Sequence, residues 1–142
     1  MNLFGLSLER VVGEERKVLD GIHFSNAVFV RVFIDGDDIG CVDPFRGSVV
    51  VFDELEKSVG ASGNYLIFTC ACGVAEDGGW EGVEVMQGES TVSWNLDVGE
   101  GFRFVFERSN YVGEITSIKR MLDREALPLV PSAVIFPENF KR

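Results

Sequence analysis

Two cysteines one residue apart, Cys70 and Cys72, form the most chemically suggestive pair in the sequence. They stand in the segment TCACG, directly after the apolar run YLIF. Paired thiols can ligate zinc or exchange with disulfides, although zinc knuckles and redox enzymes typically space them as CxxC. On an extended strand both thiols would lie on the side of Leu66 and Phe68, so we predict that they face the core.

A disulfide between these cysteines is not expected on such a strand. Alternate Cα atoms of an extended chain lie about 6.5 to 7 Å apart, at or beyond the usual range for a bridge. Buried cysteine thiols commonly serve as small hydrophobic side chains. A thiol-dependent role of the pair is kept as an alternative.

A zinc site is another use that the cysteines could have. The available ligands are Cys41, Cys70, Cys72 and His23, the only histidine. A structural zinc site takes four cysteine or histidine ligands, so all four would have to converge without a second motif to support them. We therefore predict no metal and no cofactor, and metal binding by these four residues stays an alternative.

Little in the sequence points to an enzyme. His23 is the only histidine that could act as a general base, and a triad is recognised by geometry rather than by sequence spacing. There is no nucleophile elbow, phosphate-cradling GxxxxGK or HExxH motif. We expect a non-catalytic protein, with a small enzyme of unknown reaction as a second alternative.

Negative charge is concentrated in one part of the chain. The net charge is −10, and between Lys57 and Arg103 there are seven acidic residues and no basic residue. Nucleic-acid binding depends on clustered lysine and arginine, so we expect no nucleic-acid partner. A field of one sign attracts oppositely charged partners, which predicts a basic protein partner.

The partner-binding surface is predicted within this acidic window. If Val83 and Val85 face the core, strand alternation turns Glu84 and Met86 outward and places Trp80 on the same outer side. An exposed aromatic residue among carboxylates is typical of an interface hot spot, whereas a tryptophan that caps the core is the other interpretation. The predicted binding residues are Glu76, Asp77, Trp80, Glu81, Glu84 and Glu89.

Short alternating segments predict the elements that position these residues. The predicted fold is a single α+β domain over residues 1–142, a mainly antiparallel sheet of about seven or eight strands with one C-terminal amphipathic helix on a face. A short helical turn is expected at 54–58. The predicted strands are 3–12, 27–34, 39–42, 49–52, 65–72, 80–86, 91–96 and 102–106.

The C-terminal third predicts a helix followed by an extended tail. Apolar residues recur at helical spacing from Tyr111 to Leu122, and Ser109 or Asn110 offers an N-cap. Three prolines then mark a tail at about 126–142 that lies along the body of the protein.

No apolar run approaches the roughly 20 residues that a membrane span needs, and the first residues do not have the pattern of a secretory signal. The three cysteines are an odd number, which argues for reduced thiols. These features predict a cytoplasmic protein that does not bind membranes.

The segment TCACG and the pattern that follows it resemble a group of small bacterial proteins. That group shares a TCxCG segment, a small-residue turn, a strand ending in Gly-Val, a V-x-W strand, and an aromatic strand leading into a helix that opens with tyrosine. The matching positions here are 69–73, 78–79, 82–83, 92–94, 102–106 and Tyr111, and the resemblance covers roughly residues 65–122.

The chain departs from this group at one position, and the departure weakens any metal site that the resemblance would imply. Similar sequences often carry a further cysteine four or five residues after the second one, where this chain has acids around Asp77. In its small size, acidity and expected cytoplasmic location, the group is similar to immunity proteins that neutralise bacterial toxins. The predicted function is thus an inhibitor or immunity-type protein that binds a basic partner such as a toxin.

Overall fold

The computed structural model describes residues 1–75 and 79–142, which contain eleven short strands and two α-helices. The helices are α1 (Phe52–Lys57) and α2 (Arg108–Asp123), and a 3-10 helix covers Ile39–Cys41. The strands are β1 (Phe4–Val11), β2 (Lys17–Leu19), β3 (Ile22–Phe24), β4 (Ala27–Ile34), β5 (Asp37–Asp38), β6 (Ser48–Val50), β7 (Gly63–Tyr65), β8 (Phe68–Cys70), β9 (Val83–Gln87), β10 (Thr91–Leu96) and β11 (Phe102–Glu107).

The strands form four sheets in which every strand pair is antiparallel. The largest has the order β11-β10-β9-β7, a second has the order β1-β4-β5, and β2-β3 and β6-β8 are two-stranded. Helix α2 packs on β1, β10 and β11. The predicted α+β class, its antiparallel sheets and its C-terminal helix are confirmed, as is the short helix near residue 54.

Two predicted strands are wrong in detail. Residues 39–41 form a 3-10 helix because the Asp38 carboxylate accepts a hydrogen bond from the Gly40 N–H and starts a tight turn. The predicted strand 65–72 is split between two sheets, since β7 pairs with β9 whereas β8 pairs with β6. The strand therefore ends at Cys70, which changes the environment of both cysteines.

Side chains of helix α2 form hydrogen bonds with backbone groups of β1 on the edge that does not pair with β4. The Asn110 amide accepts a hydrogen bond from the Phe4 N–H at 2.8 Å and donates one to the Phe4 carbonyl oxygen at 2.9 Å, while Glu114 accepts from the Leu6 N–H at 3.2 Å. The prediction that Ser109 or Asn110 caps the helix is wrong, because both residues lie within it and the Asn110 side chain makes these contacts instead. The helix begins at Arg108 without a side-chain cap.

An aromatic cluster forms the centre of the core. Trp94 makes edge contacts with Phe4, Phe68 and Phe106, with ring centroids 5.4 to 6.0 Å apart. Such geometry places the positive edge of one ring against the negative face of another. All four side chains are buried, so this cluster joins β1, β8, β10 and β11.

A chain of buried hydrogen bonds runs through this cluster. The Trp94 indole N–H donates to the Tyr111 hydroxyl oxygen at 3.2 Å, and the Ser58 hydroxyl donates to the Leu55 carbonyl oxygen at 2.6 Å. The remaining contact, 2.7 Å between the Tyr111 and Ser58 oxygens, is then donated by Tyr111. This chain of hydrogen bonds, which we call the buried relay, links β10, α2 and α1. Each hydroxyl proton in it is donated to an acceptor.

The tail is anchored by a buried charge. The Glu54 carboxylate is 1% exposed and accepts two hydrogen bonds of 3.0 Å from the Arg142 guanidinium, as well as one from the Leu66 N–H. The guanidinium also lies over the Tyr65 ring. Bidentate pairing satisfies a carboxylate that burial alone would destabilise.

Neither α-helix within the described ranges has the length and apolar content that a membrane crossing requires.

Replacing Tyr111 with phenylalanine tests the relay. Near neutral pH the substitution should cost about 1 to 3 kcal/mol, because Trp94 and Ser58 lose a buried partner. Burial raises the pKa of Tyr111 from 10.0 to about 12. The hydroxyl therefore contributes its full stability below pH 10, and this contribution is lost as the pH rises through 12, because the unfolded chain ionises first.

Urea denaturation at pH 8 and pH 11 measures both effects. At pH 11 the free energy of unfolding of the wild-type protein should be about 1.4 kcal/mol lower than at pH 8 because of Tyr111 ionisation in the unfolded chain. The variant has no hydroxyl at this position and shows no such loss. The stability difference between the two proteins should therefore narrow by about 1.4 kcal/mol. A difference that stays constant between these pH values would show that Tyr111 does not remain protonated in the native protein.

Candidate functional site

A row of polar side chains crosses the outer face of the largest sheet. Asn64 of β7 pairs with Glu84 of β9, Glu84 pairs with Asn95 of β10, and Asn95 pairs with Arg103 of β11. Residues directly opposite each other on neighbouring strands point to the same face, so these four side chains are neighbours. The Asn95 amide donates to a Glu84 carboxylate oxygen at 3.4 Å.

This row runs along a groove with a volume of about 560 Å³, which we call the acidic groove. The volume lies within the range of about 300 to 1,000 Å³ that is typical of ligand sites. Its lining combines carboxylates, amides, one guanidinium and an apolar wall. The side chains that define it are Asn64, Trp80, Glu81, Glu84, Asn95, Leu96, Asp97, Val98, Phe102 and Arg103.

A second hollow adjoins the acidic groove on the side of the tail. Its volume is about 510 Å³, and Asn64, Trp80 and Glu81 line both spaces. Its other wall is formed by residues 137–141 of the tail, including Phe140 and Lys141. The Asn64 amide joins the two walls, since it donates to the carbonyl oxygens of Glu81 and Lys141 at 3.1 and 3.3 Å.

The carboxylates of the groove form no ion pair with another described residue. Ion pairs of the described residues occur before residue 58 and after residue 107, and they neutralise acids such as Glu9 and Asp38. Within the described ranges, Glu81, Glu84 and Asp97 have no such partner. Arg103 lines the groove without an ion pair to another described residue.

The predicted binding residues divide between three places. Glu81 and Glu84 are exposed and line the acidic groove together. Glu89 is exposed in the turn at the opposite end of the β9–β10 hairpin and does not line it. Glu76 and Asp77 lie outside the described residues.

The predicted outward position of Trp80 is wrong. Its side chain is 8% exposed, and its ring stacks on Phe45 at 5.9 Å and lies 5.7 Å from Phe68. The reason is local, because β9 begins only at Val83 and Gly82 has a positive φ of 119°, so strand alternation does not extend back to Trp80. Trp80 therefore caps the core, which was the other interpretation of this residue, and lines the groove as a mostly buried side chain.

Sequence reasoning missed four polar residues of the groove, namely Asn64, Asn95, Asp97 and Arg103. Asn95 and Arg103 follow from the register of the β9–β10–β11 meander, which strand alternation and turn positions could have indicated. Asn64 had no local signal, since β7 reaches β9 from 20 residues away in sequence.

The predicted inward position of the cysteines is also wrong. Cys70 is half-buried and Cys72 is exposed, because the strand ends at Cys70 and the next residues form a turn closed by a 2.9 Å hydrogen bond from the Gly73 N–H to the Cys70 carbonyl oxygen. The turn brings the two sulfur atoms to 2.9 Å. An extended strand would have kept them apart.

The other candidate ligands stand elsewhere on the surface. Cys41 is exposed beside the Arg31 guanidinium, and His23 is exposed on β3. Among residues 1–75 and 79–142, no three histidine, cysteine, aspartate or glutamate side chains are grouped so that they could hold a metal ion. The four proposed zinc ligands are therefore not brought together.

Comparison with known proteins returned no match to any family model, curated protein or solved structure.

A Gly82→Ala substitution tests how the groove is built. A Cβ at residue 82 would overlap the Asn64 amide, and the positive φ is unfavourable for alanine. We expect a loss of about 1 to 3 kcal/mol, together with displacement of Asn64 from its contacts with Glu81 and Lys141. Urea denaturation gives the stability, and the Asn64 side-chain amide signals in NMR report the displacement.

The control is the same substitution in an Asn64→Ala background. Since that background lacks the overlapping amide, Gly82→Ala should cost less there, by about 1 kcal/mol. Equal costs in the two backgrounds would mean that backbone strain alone, and not the approach of Asn64, requires glycine at this position.

Proposed function

We propose that this chain is a non-catalytic binding protein, an inhibitor or immunity-type protein whose acidic groove receives a basic group of a partner protein such as a toxin. One observation carries the proposal. Glu81, Glu84 and Asp97 line one groove, and none of them forms an ion pair with another described residue. A cation from a partner would supply the missing counter-charge.

The composition of the groove favours arginine over lysine. A guanidinium is planar, donates hydrogen bonds in a fixed fork and packs against aromatic rings, whereas an ammonium group is a compact and strongly hydrated charge. The acidic groove is lined by carboxylates, which suit the fork, and by the aromatic residues Trp80 and Phe102. The Asn64 and Asn95 carbonyl groups can accept further hydrogen bonds from the same ligand.

The negative charge in and around the groove should raise the rate at which a basic partner associates with it. The sequence between Lys57 and Arg103 has no basic residue, so carboxylates outside the groove add to the same field. Such a field accelerates the encounter with a basic partner and weakens as salt screens it over about 10 Å at 0.1 M. Arg103 at one end of the polar row opposes a ligand that is positive along its whole length, and so favours a single inserted cation.

The proposal predicts that neutralising the groove weakens binding of an arginine probe. A labelled peptide with one central arginine between glycines is titrated into wild type and into a Glu81→Gln/Glu84→Gln variant, with fluorescence anisotropy as the measurement. We expect the variant to bind about tenfold more weakly, since two lost charge contacts of about 0.7 kcal/mol each add up to about 1.4 kcal/mol. Wild-type affinity should fall as salt is raised.

A Glu14→Gln/Glu15→Gln variant is the matched control, because it removes the same charge from two exposed residues outside the groove. Glu9 is unsuitable, since it pairs with Lys17 and Arg31. The control should bind within about twofold of wild type. Equal weakening by both variants would mean that net charge, and not the groove, attracts the peptide, and the proposed site would be wrong.

A further inference from the structure

The turn after β8 holds two thiols in contact. Its closing hydrogen bond runs from the Gly73 N–H to the Cys70 carbonyl oxygen, and Gly73 has a φ of 84°, which favours glycine. The Cys70 and Cys72 sulfur atoms lie 2.9 Å apart. This distance is about 0.9 Å longer than a covalent S–S bond of about 2.05 Å, so a small movement is enough to form the bond.

Both ends of this turn are held by the surrounding structure. On one side Cys70 pairs with Ser48 of β6. On the other side, the Gly73 carbonyl oxygen accepts a 2.7 Å hydrogen bond from the Ile135 N–H, and the Ala75 N–H donates to the Ile135 carbonyl oxygen. The fold therefore fixes the positions from which the two sulfur atoms meet, which is the geometric requirement for a fast reaction within one chain.

We propose that Cys70 and Cys72 form a dithiol site that undergoes thiol–disulfide exchange with a small soluble disulfide of the glutathione class. This site is separate from the acidic groove, since neither cysteine lines it. Its role does not depend on the partner binding proposed above. The two thiols and one disulfide are converted into one intramolecular bridge and two small thiols.

The exchange proceeds in two substitutions at sulfur. Cys72 is exposed and therefore attacks first as its thiolate, forming a mixed disulfide and releasing one small thiolate, which takes up the proton that Cys72 lost. Cys70 then loses its proton and attacks the Cys72 sulfur, so that the mixed disulfide breaks and the second small thiol leaves. Two electrons pass from the protein dithiol to the small disulfide, and no other oxidant is needed.

The half-buried cysteine suits the second step. Burial, together with its contact with Cys72, raises the pKa of the Cys70 thiol, so Cys70 is a weak first nucleophile at neutral pH. Once Cys72 carries the mixed disulfide, Cys70 needs no encounter with another molecule, because its target sulfur is already adjacent. Exposure thus selects Cys72 for attack, and proximity selects Cys70 for closure.

The proposal is tested by incubating the protein with oxidised glutathione and quenching the reaction with acid. The remaining thiols are then alkylated, and the products are identified by mass spectrometry. We expect wild type to lose two hydrogens and to keep one alkylatable thiol, Cys41, with the bridge located between Cys70 and Cys72 by peptide mapping. No glutathione adduct on Cys72 should accumulate, because closure within the turn should be about tenfold or more faster than the bimolecular step that forms the adduct. Added reduced glutathione should reverse the reaction.

Three variants assign the roles of the thiols. Cys41→Ser should still form the bridge, Cys70→Ser should stop at a stable glutathione adduct on Cys72, and Cys72→Ser should form no bridge. In 8 M urea the glutathione adduct on Cys72 of the wild-type protein should close more slowly and become detectable, since unfolding removes the turn. The proposal is overturned if wild type accumulates as a stable glutathione adduct, if all three thiols remain alkylatable, or if unfolding leaves the rate of closure of the Cys72 adduct unchanged.

Discussion

The structure depends on how one tryptophan is held in the core. Trp94 lies on β10, the strand between β9 and β11, and its indole N–H begins the buried relay through Tyr111 and Ser58. A one-residue shift of β10 would turn Trp94 outward and leave the relay without its donor. The same constraint turns the neighbouring Asn95 towards solvent. The buried hydrogen bonds therefore fix the orientation of the polar row that forms the acidic groove.

Two kinds of carboxylate have different roles in this acidic chain. Glu54 is buried, and the Arg142 guanidinium and the Leu66 N–H satisfy it, so its charge holds the tail against the body. Glu81 and Glu84 are exposed and have no counter-charge among the described residues. The first arrangement serves the fold. The second leaves electrostatic attraction available for a partner, and the proposed binding rests on the convergence of such carboxylates in one groove.

The sequence predicts most of the sheet that carries the groove. Val83 and Val85 are odd-numbered and face inward, whereas Trp94 and Leu96 are even-numbered and face inward, so only a register such as Glu84 with Asn95 buries both sets. Local patterns failed where the chain leaves regular structure. The positive φ of Gly82 ends the alternation before Trp80, and a turn after Cys70 exposes Cys72 and leaves Cys70 half-buried. Contacts between distant segments, such as those of Asn64 and Asn110, have no local signal.

Locating the bound cation on the protein tests directly whether the acidic groove is the binding site. Amide ¹H–¹⁵N spectra recorded during titration with the single-arginine peptide would show which residues sense it. The account predicts that the largest shifts fall on Asn64, Glu81, Glu84 and Asn95, including the side-chain amides of both asparagines. Shifts spread over exposed acidic residues around the whole surface, with none concentrated on these positions, would contradict the account.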